Sequence, residues 1–280
     1  MTTASPSTET SARASTPWGR WGVRGVALGY LTLILIVPLA VIVQDGLRAG
    51  VEGLWQAVRQ PIAWSALILT LWTATVVAIA NGVMGLLTAH VLVRYDFPGK
   101  TLLNAVTDLP LAIPTLVTGV MLVVLYGPQS ILGSWLEAAT GQRIVFAAPG
   151  IILALLFITF PLVVRTIQPV LIDLDRAQEE AAATLGARGW TIFRRIVLPK
   201  ITVPLISGML LSFSRAIGEF GAIVIVAGNI PFKSQTAAVY VFGEVESENR
   251  LAASAISTVM LVIAFGLVLF ANFLQRRAKK

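Results

Sequence analysis

Six stretches of the chain stay apolar well beyond the length of an ordinary core helix: residues 26–43, 62–93, 102–126, 146–164, 201–227 and 251–274. A helix needs about 20 such residues to cross the hydrocarbon core of a bilayer. The pattern therefore predicts an all-α integral membrane protein with six transmembrane helices. Several stretches exceed the minimum, so they must tilt, break or extend into water. Gly82, Gly85, Pro110, Pro114, Gly208, Gly218 and Gly221 lie inside them. Small residues there permit close helix packing, and prolines permit local kinks.

The polar segments between the stretches give an orientation. With six spans, one side collects Arg13, Arg20, Arg24, Arg94, Lys100, Arg165, Arg176, Arg188, Arg194, Arg195, Lys200, Arg276, Arg277, Lys279 and Lys280. The other side has Arg48, Arg59, Arg143, Lys233 and Arg250. Excess positive charge marks the cytoplasm, so both termini are predicted to be cytoplasmic. The asymmetry accounts for the net charge of +7 as membrane topology, and no nucleic-acid partner is expected. Residues 1–25, rich in Ser, Thr and Ala, cannot bury enough apolar surface to order themselves and predict a flexible tail. The run 26–43 exceeds a signal-peptide core and lacks a small-x-small site after it, so it reads as a retained span. Residues 275–280 predict a basic tail. Trp55 and Trp64, on the far side, suit the membrane interface.

Composition then removes most other functions. Hydrophobic residues make up 56% and charged residues only 12%, against about 25% charged in soluble domains. There is no Cys, which excludes disulfides, thiol nucleophiles and Cys-ligated metals. His90 stands alone in an apolar stretch and reads as a packed or pathway-lining side chain rather than a metal ligand. No nucleophile elbow or ligand cluster supports a membrane hydrolase. No Gly-rich loop ending in Lys-Ser or Lys-Thr occurs, so any ATP used must be bound by another chain.

One inter-span segment, residues 173–200, is too ordered in pattern to be a simple connector. Asp173 or Asp175 can cap a helix, Ala177 and Ala181 to Ala183 favour it, and Gly186 suits a left-handed stop. A short amphipathic turn with Trp190, Ile192 and Phe193 set against Arg194 and Arg195 follows, and Pro199 closes it. The residues alone fit two readings, a solvated helical loop or a small-residue surface on which another protein docks.

Glu180-Ala181-Ala182, three residues, Gly186, nine residues, then Ile196-x-Leu198-Pro199 resembles the signature loop of binding-protein-dependent ABC importer permeases. Further segments, Asp108 to Thr115, Phe160 to Val170 and Arg215 to Gly221, are similar to sulfate and molybdate permeases. Gly228 to Lys233 and Ala255 to Phe265 resemble the T-type (or U-type) permease subunits of sulfate/thiosulfate importers. The resemblance covers residues 62–274 within a permease domain at 26–274. It implies the type I ABC importer permease fold in a bacterial plasma (inner) membrane. Its implied partners are ABC ATPase subunits, a second homologous permease in a heterodimer, and an extracytoplasmic sulfate-binding protein. No cofactor is expected on this chain, since ATP and Mg would reside on the ATPase. Glu180, Ala181, Ala182 and Gly186 are the implied ATPase contact, with Ile196, Leu198 and Pro199 completing the motif. A molybdate or tungstate permease stays open as an alternative. From the residues alone, so does a gradient-driven secondary anion carrier, though that class gives no reason for the 173–200 loop.

Arg215 and Glu219 lie in the fifth stretch, four residues apart, and are expected on one helical face. Each alone would cost several kcal/mol at mid-bilayer. Paired, they form either a structural clasp or a polar point on an anion pathway, with Ser212 and Ser214 as candidate lining residues. Asp108, near Pro110, reads as a helix-start carboxylate of structural or transport use.

Overall fold

The computed structural model describes residues 17–278, and the described residues are helical with no strand. The chain opens with α1 (Pro17–Leu31) and α2 (Val37–Gly46), joined by a π-turn over Thr32–Ile36. The short α3 (Gly50–Arg59) leads to the long α4 (Pro61–Arg94). Next come α5 (Lys100–Ala112), α6 (Thr115–Tyr126), α7 (Ile131–Thr140) and α8 (Ala148–Asp173). After α9 (Arg176–Thr184), α10 (Gly189–Ile192) runs through a π-turn over Phe193–Val197 into α11 (Leu198–Ile217). The chain ends with α12 (Gly221–Ala227), α13 (Ala237–Glu246) and α14 (Arg250–Ala278).

Five helices are long and apolar enough to span a bilayer: Trp21–Gly46, Pro61–Arg94, Ala148–Asp173, Gly189–Ile217 and Arg250–Arg276. α5 and α6, bent by 107°, supply the sixth span when taken together. The six predicted stretches are thus present, but several limits differ. The expected tail at 1–25 is already helical from Pro17, and residues 1–16 lie outside the described residues. Proline is favoured in a first helical turn, and the Arg24 guanidinium sits 5.4 Å from the Trp21 ring centroid. The expected basic tail at 275–280 is helical through Ala278, and Lys279 and Lys280 lie outside the described residues.

The third stretch breaks at Ile113 and Pro114, both extended rather than helical. A proline disfavours helical backbone in the residue before it. The fifth stretch is corrected more strongly. Its helix starts at Gly189 and stops at Ile217, and Gly218 to Phe220 separate it from the short α12. The amphipathic turn at Trp190 is therefore the start of this span, and Pro199 lies in a first turn of α11 rather than closing a loop. Both π-turns share a cause. In each, the amide before a proline bonds five residues back, Val37 to the Thr32 carbonyl and Leu198 to the Phe193 carbonyl. A proline cannot donate and crowds the carbonyl four residues back, and one wide turn relieves that clash.

The core sits where α4, α8 and α11 meet. Leu92, Val163, Ile167, Leu171, Val197 and Ile201 form one buried cluster, and Val77, Ile151, Leu155, Ile158, Ile217 and Ile223 another. One polar knot pins all three helices. Asn81 Nδ2 donates to Thr159 Oγ1 at 2.8 Å and to the Leu156 carbonyl at 3.3 Å, and Ser212 Oγ donates to Thr159 Oγ1 at 2.8 Å. Ser212 is fully buried in this knot, so it does not line a pathway here. Gly85 allows the close approach of α4 to α8, since a Cβ on it would lie 2.8 Å from Val163 Cγ1. Gly85→Leu should therefore overpack this contact, at a cost of about 1–3 kcal/mol, and lower the melting temperature of the detergent-solubilised complex. Gly266→Leu, where nothing lies within 4 Å, is the control and should leave it unchanged. Equal melting of the two variants would refute the packing account.

Candidate coupling loop and intramembrane ion pairs

The 173–200 segment folds as its pattern suggests. Asp175 caps α9, accepting from the Ala177 amide at 2.9 Å. The helix ends on Gly186 with φ +84°. Gly186 N–H donates to the Ala183 carbonyl at 2.9 Å, and Ala187 N–H to the Ala182 carbonyl at 3.0 Å. This paired closure of a helix end requires a left-handed residue, which glycine supplies without a Cβ penalty.

α9 is fastened along one side and bare along the other. Glu179 turns inward to an ion pair with Arg94 at the end of α4. Arg176 Nη2 donates to the Val93 carbonyl at 3.1 Å, and Lys200 Nζ donates to Gln178 Oε1 at 2.8 Å. Three ties thus bind α9 to α4 and α11. Glu180, Ala181 and Gly186 are exposed and Ala182 is half-buried. Leu185 is 89% exposed and Trp190 70% exposed, with Trp190 stacked on Phe193 at 5.6 Å. Ile196 and Leu198 are half-buried and Pro199 is exposed; they shape the π-turned return into α11 rather than joining the bare face. Behind α9 lies a cleft of about 640 Å³, lined in part by His90, Arg94, Glu179, Glu180 and Trp190. His90 is packed edge-on between Tyr95 and Phe193. In the adjacent turn, a hydrogen bond from Lys100 and its charge hold the exposed Asp96 carboxyl below the usual carboxylate range.

The Arg215–Glu219 pair forms, with Nη1 2.5 Å from Oε2, but not on one helical face. Glu219 lies past the end of α11, inside the Gly218–Phe220 break. Its side chain is 2% exposed, against 42% for Arg215. Glu219 Oε1 also accepts the Ala222 amide at 3.0 Å, which satisfies a first-turn donor of α12. A Cβ on Gly221 would collide with Thr115 Oγ1, so the start of α12 packs directly on the start of α6. The two helix breaks therefore meet. Ser214 is half-buried on the last turns of α11.

A second intramembrane pair was not legible as one. Arg165, assigned by charge to an inter-span segment, lies eight residues inside the end of α8 at Asp173, about 12 Å along the axis. Asp108 lies eight residues into α5 instead of at a helix start. Arg165 grips it with two donors, Nε to Oδ1 at 2.6 Å and Nη2 to Oδ2. Arg165 Nη1 also donates to Gln168 Oε1 at 2.8 Å, and Gln168 Nε2 to Asn104 Oδ1 at 3.2 Å. The clue in the sequence was the capping pattern at Asp173 and Asp175, which carries the fourth span past residue 164. Glu179 gave no comparable signal, because its partner Arg94 is remote in sequence. Among the described residues no group of three His, Asp or Glu could hold a metal ion.

Comparison with known proteins matches this architecture. The family model described as binding-protein-dependent transport system inner membrane component matches residues 81–280. A probable sulfate transport system permease protein cysT of Nephroselmis olivacea is 42% identical over 91% of this chain and 89% of its own length. The sulfate transport system permease protein CysT of Escherichia coli (strain K12) is 41% identical over 90% of this chain and 91% of its own. Among solved structures, a bacterial alginate ABC transporter in complex with an alginate-bound periplasmic protein superposes with a TM-score of 0.76 at 18% identity. It covers 94% of this chain and 96% of that one, which shows a shared fold. Family match, near-complete relatives and fold agree, and the chain belongs to the binding-protein-dependent inner membrane components, the permeases of ABC importers.

Proposed function

We propose that this chain is the permease subunit of an ATP-driven importer of sulfate or thiosulfate, forming part of the translocation path while a separate subunit hydrolyses ATP. The observation that carries the substrate class is the 42% identity, over 91% of the chain, to a relative described as a probable sulfate permease. An external binding protein delivers the anion, a second homologous permease completes the path, and ATP with Mg stays on the ATPase. The basic end of the bundle, with Arg94, Arg176, Arg188 and Lys200, faces the cytoplasm.

The energetics require an external drive. Moving two negative charges into a cell negative by 100 mV costs about 4.6 kcal/mol. A hundredfold accumulation adds about 2.7 kcal/mol. The bare face of α9, with Glu180, Ala181, Ala182 and Gly186, is the surface that receives the ATPase. Its small side chains allow close docking, and Leu185 and Trp190 add apolar contact. The ties through Glu179, Arg176 and Gln178 pass the load to α4 and α11.

Three experiments test this reading. In proteoliposomes holding the complete complex and its binding protein, ATP should drive accumulation of labelled sulfate. Unlabelled thiosulfate should compete strongly and molybdate weakly. Preferential molybdate uptake would favour the rival oxyanion permease. Gly186→Trp should leave the permease inserted but abolish ATPase docking and stimulated ATP hydrolysis, whereas normal stimulated hydrolysis would contradict the docking role. In vesicles holding the permease without its ATPase, a Leu185→Cys thiol should react with an impermeant reagent from the cytoplasmic side alone. Reaction from the opposite side would reverse the orientation.

A further inference from the structure

The Asp108–Arg165 pair is in an unusual place for a structural clasp. Arg165 lies eight residues, about 12 Å along the axis, before the end of α8, and Asp108 lies eight residues after the start of α5 and four before its end. Yet the side chains remain 38% and 42% exposed, so this chain covers neither of them fully. Lipid cannot be the cover, because a charge facing hydrocarbon costs about 2.5–3.5 kcal/mol even on the most lenient scale. The exposed side of the pair needs water or a polar partner.

Its neighbours say which. Four residues, or about 6 Å of helix, carry Asp108 to the end of α5 at Ala112, where the Ile113–Pro114 break begins. That break abuts Gly221, two residues after Glu219 of the Arg215–Glu219 pair. Non-helical backbone at membrane depth survives only inside protein or beside enclosed water. In the other direction Gln168 and Asn104 continue the polar line into a cavity of about 330 Å³, lined also by Lys100 and Thr101. The polar groups thus run in sequence from the paired helix breaks to the basic end of the bundle. The side chains along the line can hydrogen-bond an oxyanion, and Arg165 presents the planar fork that binds one with two parallel bonds.

We propose that Arg165 is an anion station, inward of the Arg215 break, where a doubly charged tetrahedral oxyanion replaces the Asp108 carboxylate on the guanidinium. The proposal rests on the reading of this chain as an oxyanion importer. An unopposed arginine would hold such an anion too well, and conduction needs sites favourable enough to enter and weak enough to leave. Asp108 supplies the competitor. A dianion can displace the carboxylate by charge and by bidentate geometry, whereas chloride offers one charge and no second acceptor. The station therefore also discriminates by ligand class.

Absence of cysteine from the chain gives a direct test. Thr101→Cys places a thiol at the cavity without touching the Arg165 contacts. In the complete reconstituted complex, an anionic sulfonatoethyl methanethiosulfonate should modify it several-fold faster than the cationic trimethylammonium analogue, after correction for the reagents' rates on a free thiol. Millimolar sulfate should slow the reaction, and chloride at matched ionic strength should not. Asp108→Asn should strengthen sulfate protection, and Arg165→Gln should abolish it. An unreactive thiol, or one that sulfate fails to protect, would overturn the station and leave the pair as a clasp or subunit contact. ATP-driven sulfate uptake by the wild-type complex in the same vesicles decides the import reading separately, so failure of one is not mistaken for failure of the other.

Discussion

A charge or an open backbone amide inside hydrocarbon must be satisfied by protein or by enclosed water, and the centre of this bundle is arranged around that constraint. Two of the apolar stretches break within themselves, one at Ile113–Pro114 and one across Gly218–Phe220. Each break exposes backbone groups that lipid cannot serve. They are stacked on each other, with Gly221 against Thr115. A single buried carboxylate, Glu219, serves both the Arg215 guanidinium and the first-turn amide of α12. The pair thus does more than cancel charge. It closes a helix end that would otherwise be open, and it leaves a half-exposed cation at the junction.

The rest of the bundle holds that junction and connects it to the basic end. α4, α8 and α11 are locked by the Asn81–Thr159–Ser212 knot and by the close approach at Gly85. The same α4 and α11 carry the ties to α9 through Arg94 and Lys200. A push on the bare face of α9 therefore meets two of the three core helices, and α11 leads from there to Arg215 and the break. This continuity supplies a physical route from a docked ATPase to the polar centre. The π-turn before Pro199 sits on that route.

Much of this was legible in the sequence, and the exceptions have physical causes. Hydropathy registers apolar length, so the six spans were visible while their internal breaks were not. Gly218 and Glu219 lie between apolar residues, and a window average runs through them. The third stretch carried its own warning in Pro114, because proline constrains the residue before it. The fold of the 173–200 loop was readable because capping and glycine stops are local chemistry, as at Asp175 and Gly186. What could not be read was pairing between remote residues. Glu179 with Arg94 and Asp108 with Arg165 depend on helix packing, and charge counting placed Arg165 outside a span. Ser212 was misread for the same reason, since a serine facing Thr159 on another helix looks in sequence like one facing a pore.

We propose that the anion passes the junction of the two breaks and that Arg215 with Glu219 selects for it there. The most direct measurement uses Arg215→Met/Glu219→Gln in the complete complex, because glutamine keeps an acceptor for the Ala222 amide and methionine keeps the length of the arginine stem. At matched complex abundance, binding-protein-stimulated ATP hydrolysis should persist while sulfate uptake is lost. Sulfate uptake at the wild-type rate per complex would contradict the claim and reduce the pair to a clasp.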